Sequence, residues 1–275
     1  MSVTEDTLIG AVESSLHAIP PVSGLSEDLG VKGVRGRITD LSHPLANLVG
    51  MADIAPDDVD ATLTMVRNRY SRGRKAYGWV TGPLTRPHDL GARLVASGLV
   101  KEDEMAGMVL TDLAVPIPVD PSIEIREVTL HEVQAASGMM ARAYGLPEEV
   151  MRLLNVLLAM TDRKVRNRGY FAYLDGGTDP VAWSYLVYLP DSPIVLLGGA
   201  ATVPEHRGRG IYSALVAKRL ADARADGRSA AVIQAVRSTS APIAAKLGFR
   251  EVCGLELYAW AGAPHQDIPM LKLEE

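Results

Sequence analysis

Two apolar runs, residues 193–203 and 230–236, set the strongest constraint on what this chain can fold into. Each is nearly continuous, without the alternation of a strand that faces water on one side, so each reads as a strand buried on both faces. Between them Tyr212, Leu215, Val216, Leu220 and Ala223 recur at helical spacing, and Gly227 suits the helix end. A helix joining two buried strands makes a βαβ unit, and its strands run parallel. The fold class that follows is α/β, with a mixed sheet.

The joint between the first strand and the helix reads Val203-Pro204-Glu205-His206-Arg207-Gly208-Arg209-Gly210-Ile211-Tyr212. Glycines let a backbone approach a ligand closely. The N–H groups of a helix's first turn have no partner within the helix and point outward. Two arginines add charge-assisted hydrogen bonds. Together these make a cradle for a polyanion such as a phosphate group. A dinucleotide fingerprint would need a third glycine where Ser213 stands and an acidic residue about 20 positions on. No Asp or Glu occurs between Gly227 and Arg250.

Val115-Pro116-Ile117-Pro118-Val119-Asp120-Pro121 is an extended connector, because its prolines rule out a helix. It divides the chain into residues 1–120 and 121–275. Past it, 123–128 reads as a strand, 130–144 and 148–160 as helices, and 169–174 and 181–189 as strands. After the second buried strand comes a short helix with Ser240 as cap, Pro242 in its first turn and Gly248 at its end. A strand over 252–260 and a tail follow. The first 120 residues carry a fainter version of this ending, a helix over 87–99 closing in Gly98-Leu99 and a strand over 105–113. A strand, a helix and a strand precede it at 45–54, 57–70 and 76–81. That half is expected to be a smaller, divergent lobe without the arginine–glycine loop.

The formal net charge of −5 comes from 28 Lys and Arg against 33 Asp and Glu, and the second half is neutral. That balance argues against a general nucleic-acid surface, which needs a basic face, and it permits a small basic pocket. Cys253 is the only cysteine, so no intrachain disulfide forms, and its apolar surroundings mark a buried structural thiol. The first ten residues hold Glu5 and Asp6 and lack the basic and apolar regions of a signal peptide. No apolar run approaches the ~18 residues of a membrane span. A cytoplasmic protein without a membrane partner is expected. The histidines show no metal-ligand spacing, so no metal is expected. His206 and the basic runs 67–75 and 163–168 read as solvated.

The loop is similar to the acyl-CoA signature of the GNAT superfamily of N-acyltransferases, Gln/Arg-x-x-Gly-x-Gly/Ala after Val-x-Pro. Arg207 and Gly210 match its first two fixed positions. The third falls on Tyr212, where the family keeps a small residue. The resemblance covers 123–260 in element order and is strongest over 201–215 and 238–249. It implies a GNAT-like domain behind a smaller, degenerate GNAT-like lobe, with acetyl-CoA or another acyl-CoA as co-substrate. The pyrophosphate would rest on backbone N–H groups of Gly208, Arg209, Gly210, Ile211, Tyr212 and Ser213, beside Arg207. The pantetheine arm would pair with Ala201, Thr202 and Val203 where the sheet splays. The implied reaction is direct attack on the thioester by a primary amine of a small molecule, with no role for Cys253. The family's usual acid, a tyrosine four residues before the Gly-Phe pair, falls on Ala244, and no carboxylate lies between Ile194 and Val203. Tyr185, Tyr188 and Tyr258 are the substitutes to place, and the catalytic pair stays unassigned. A non-catalytic acyl-CoA sensor and other CoA chemistry, such as O-acylation or decarboxylation, remain open. So does the choice between monomer and homodimer.

Overall fold

The computed structural model describes residues 3–261, and the expected tail lies outside them. The first half runs α1 (Glu5–Ser14), β1 (Ser26–Asp28), β2 (Arg35–Thr39), β3 (Leu48–Gly50), α2 (Val59–Ser71), β4 (Tyr77–Thr81), α3 (Leu90–Ala96) and β5 (Val100–Leu110). The second begins β6 (Ile123–Val128), α4 (Leu130–Ala135), α5 (Ser137–Tyr144), α6 (Glu148–Thr161), β7 (Asn167–Leu174) and β8 (Ala182–Tyr188). It continues β9 (Ile194–Leu196), β10 (Ala200–Thr202), α7 (Ile211–Ala225), β11 (Ala230–Val236), α8 (Ser240–Lys246) and β12 (Arg250–Trp260). The sheet is mixed, ordered β1-β2-β3-β4-β12-β5-β11-β9-β8-β7-β6, with β10 paired to β8 alone. The expected βαβ unit is β9–α7–β11, and its strands are parallel.

Three expectations change. The helix expected over 130–144 is two helices. A capping box between Thr129 and Glu132 starts α4, and the chain breaks at Ala136 before α5. The strand expected over 193–203 is also two. Leu197 N–H reaches Val232 O at 3.0 Å and is the last bond to β11. Tyr185 N–H then meets both Gly198 O (3.0 Å) and Gly199 O (3.1 Å), which is a bulge. Gly199 has φ +37, and a Cβ there would come within 2.9 Å of the Trp183 ring, so only glycine fits. Past the bulge β10 stays with β8 and leaves β11, and the sheet opens into a wedge.

The third change concerns the lobes. Each half ends in helix, glycine and long strand, but neither long strand returns to its own half. Strand β5 pairs with β11, and β12 pairs with β4. The two lie side by side, antiparallel, at the centre of the sheet. Both endings are built alike. Gly98 (φ +97) and Gly248 (φ +95) close the helices, and Leu99 and Phe249 N–H return to Leu94 O and Ala244 O at 3.0 and 3.1 Å. Helix α1, unmarked in the sequence, crosses this centre. Gln234 of β11 ties it down, donating to Val12 O at 2.5 Å and Ser15 Oγ at 2.6 Å.

Candidate functional site

Side chains alternate across β8 and define the walls of the wedge. Trp183 and Tyr185 face α5 and α6, where Trp183 Nε1 donates to Met140 O (3.2 Å) and Tyr185 OH to Asn155 Oδ1 (2.7 Å). Ser184 faces the other way with its cross-strand partner Tyr170, whose hydroxyl donates to Asp222 of α7 at 2.8 Å. Thus α7 floors one side of the wedge, and α5 and α6 wall the other.

The backbone along the wedge follows antiparallel alternation. Tyr185 N–H binds Gly199 O, and Val203 N–H binds Val181 O at 2.9 Å. Residues 199, 201 and 203 therefore face β8, and Ala200 and Thr202 turn their N–H and C=O groups toward the gap. Of the three residues expected to pair with an extended ligand, Thr202 presents its backbone to the wedge, whereas Ala201 and Val203 are turned to β8. Across the gap, Ile233–Val236 pairs on one edge only, with residues 105–108 of β5. The N–H groups of Gly198 and Gly199 make no hydrogen bond among the described residues.

At the wide end stands the loop. A short turn, Pro204–His206, follows Val203. Gly208 (φ +74) and Gly210 (φ +77) then reverse the chain into α7, and a Cβ at either would meet nothing within 4 Å. Both glycines therefore serve the backbone path, and the space above them is open. Gly210 caps α7 without a side-chain bond, and the first helical bond is Ala214 N–H to Gly210 O at 3.0 Å. The N–H groups of Ile211, Tyr212 and Ser213 thus stand at the positive end of a 15-residue helix. Ile211 is buried and Ser213 half-buried.

The arginines have separate attachments. Arg207 donates from Nε to Thr202 O and from Nη2 to Ala143 O, both at 3.3 Å, and so fastens the loop to β10 and α5. Arg209 is half-exposed and faces Asp175 at 3.3 Å. Tyr212 does not crowd the cradle, because its hydroxyl is buried below the helix end.

The expected proton donors are engaged elsewhere. Tyr185 is bound to Asn155, which donates to Ser137 Oγ at 3.1 Å. Tyr188 OH donates to Asp226. Tyr258 lies on β12, away from the wedge, and donates to Glu256 at 2.6 Å; burial and that carboxylate push its pKa up to about 12. Ala244 is buried. Burial, with Glu13 and Glu251 nearby, pushes the Cys253 thiol up to about 11, so it is no thiolate at neutral pH. No group of three or more potential metal ligands occurs among the described residues, and none of their helices is long and apolar enough to cross a membrane.

Sequence reasoning missed the bulge, Ser184 and Arg219. The glycine pair 198–199 inside an apolar run was a signal for the first. Arg219 interrupts the apolar stripe of α7 and is fully buried, which was a signal for the last. The first lobe has a counterpart to the loop that lacks its chemistry. There the turn Pro56–Asp58 leads straight into α2, with Asp57, Asp58 and Asp60 at the helix start and no glycine between. Those carboxylates oppose an anion at that end.

Residues 191–252 match the acetyltransferase (GNAT) domain family. The fold is similar to a GCN5-related N-acetyltransferase from Kribbella flavida, at 16% identity over 95% of this chain and 97% of that one, TM-score 0.67. It is also similar to one from Sphaerobacter thermophilus, at 16% identity over 86% and 79%, TM-score 0.62. A tandem GNAT protein from the clavulanic acid biosynthesis pathway matches at 14% identity over 85% and 79%, TM-score 0.55. At these identities the likeness is one of fold. No curated protein matches the sequence.

Proposed function

We propose, from the match of residues 191–252 to a GNAT acetyltransferase domain, that the protein transfers an acetyl group from acetyl-CoA to a primary amine of a small molecule. One observation carries the reading: the wedge between β10 and β11 leads without interruption to the uncapped N-terminus of α7. An extended arm ending in a polyphosphate fits that path. The phosphates find the first-turn N–H groups, open space above Gly208 and Gly210, and the charge of Arg209. The arm finds the outward backbone groups of Thr202.

The chemistry needs little more from the chain. A neutral amine attacks the thioester carbonyl, the C–N bond forms, and the C–S bond breaks with its electron pair on sulfur. The N–H group of Gly198, without a partner among the described residues beside the bulge, would serve as a donor for the negative charge that develops on the carbonyl oxygen. Aligned amides of this kind contribute about two to three orders of magnitude in rate elsewhere. The N-terminal lobe, with an acidic turn at the equivalent place, is read as a degenerate copy that supports the sheet.

The test is thiol release from acetyl-CoA against a panel of primary amines. Turnover on at least one amine, with amide as product, supports the reading. Binding of CoA with no turnover on any amine would favour the sensor, a reading that Ala244 in the usual acid's place keeps in view.

A further inference from the structure

Tyr185 of β8 faces two residues across the ladder, and its two backbone groups fare differently. Its N–H is shared between Gly198 O (3.0 Å) and Gly199 O (3.1 Å). The bonds to either side fall at residues 189 and 181, Leu189 N–H to Ile194 O at 3.2 Å and Val203 N–H to Val181 O at 2.9 Å. Residue 185 is in step with both, so it stands where an antiparallel pair exchanges both of its bonds. The reciprocal bond, from Gly198 or Gly199 N–H to Tyr185 O, is missing, and neither glycine N–H has another partner among the described residues. The Tyr185 carbonyl accepts from Arg219 Nη1 of α7 instead, at 3.1 Å.

Arg219 is a costly residue to place there. It is wholly buried, and its Nε is fixed to Leu215 O of its own helix at 3.1 Å. The carboxylates that follow it, Asp222 and Asp226, are held by Arg166, Arg168 and Lys218. A charge buried without a counter-ion is unfavourable, and an apolar side chain would suit the stripe of α7 better. We propose that Arg219 is the positioning residue of the wedge. By occupying the Tyr185 carbonyl it keeps the two glycine amides from pairing with β8, and so holds the bulge at which β10 parts from β11. Without the guanidinium the carbonyl turns to those amides, because a buried carbonyl seldom stays unpaired. The Gly198 N–H is thereby kept for a ligand, and that the ligand is a thioester rests on the acyl-CoA reading above.

Backbone amide hydrogen exchange on the wild type, Arg219→Met and Arg219→Lys tests this without any ligand. In the wild type the Gly198 and Gly199 amides should exchange rapidly and that of Tyr185 slowly. Methionine fills the space without a donor, so in Arg219→Met exchange at one or both glycines should slow by about tenfold, the effect of one hydrogen bond. A merely structural loss at a buried position opens the fold and speeds exchange; it does not protect these two amides. Lysine keeps a charged donor, so Arg219→Lys should exchange as the wild type does. Acetyl-CoA affinity, read by calorimetry, should fall about tenfold in Arg219→Met and return in Arg219→Lys. Protected glycine amides in the wild type, or glycine exchange in Arg219→Met that is unchanged or faster, overturns the assignment. Where Arg219→Met fails to fold, the wild-type pattern decides alone. A wild type with the expected exchange pattern that binds no acetyl-CoA keeps the assignment and removes the acyl-CoA reading.

Discussion

Arg207 and Arg209 are two residues apart, yet their attachments predict different losses. Arg207 holds two backbone carbonyls from different elements, so Arg207→Ala should lower stability by about 1–2 kcal/mol in urea unfolding, besides weakening CoA binding. Arg209 has a half-exposed carboxylate partner, and such pairs contribute little. Arg209→Ala should therefore leave the unfolding midpoint nearly unchanged and weaken CoA binding by about tenfold, more at low salt than at high. If CoA affinity is untouched, the cradle is misread. At Cys253 the prediction is null. With its thiol protonated at neutral pH, Cys253→Ser should keep full turnover, and loss of activity in a stably folded variant would contradict direct transfer.

At the scale of elements, the bulge decides whether there is a site at all. Gly199→Ala must place a Cβ at φ +37 against the Trp183 ring. It should cost about 1–3 kcal/mol of stability by chemical unfolding and impair acetyl-CoA binding together. Gly208→Ala and Gly210→Ala, in open space at positive φ, should cost about 1 kcal/mol each. The loop and its helix were legible because glycine, arginine and helical spacing each carry a local physical meaning. The break in the strand was less so. Continuous apolar character reports burial on both faces, not a neighbour along the edge, and 193–203 stays apolar whether or not it pairs with β11. The proton donors were illegible for a related reason, since strand assignments for Tyr185, Tyr188 and Tyr258 say nothing about which acceptor each hydroxyl meets.

On the scale of the molecule, the connector at 115–121 divides the sequence more cleanly than it divides the sheet. Because β5 and β12 each complete the other half, fragments ending and starting at that connector should not fold alone but should associate when co-expressed. Cooperative unfolding of either fragment by itself would contradict this. Strand exchange was not legible, because period-2 patterning fixes which face is buried and leaves the partner strand open. A second consequence of the joined lobes is acid sensitivity. His17 follows α1 in the turn Ser15–His17 and packs on Gly50 of β3, where a Cβ would come within 2.5 Å of Nε2. Burial, then Arg37 and Arg35, push its pKa down to about 4 from 6.5. Between these values the unfolded chain binds the proton and the folded chain does not, so stability rises with pH through this window. It should fall by about 3 kcal/mol as pH drops from 6.5 to 4, and His17→Gln should flatten that slope.

The central claim is that the wedge and the helix end of the second lobe hold acetyl-CoA, while their counterpart in the first lobe does not. Titration of acetyl-CoA into isotope-labelled protein, followed by backbone amide NMR, tests it most directly. The amides of Gly198, Gly199, Gly208, Gly210, Tyr212 and Ser213 should shift together and saturably, while those of Val59 and Asp60 stay in place. No saturable shift, or shifts centred on the start of α2, would contradict the account.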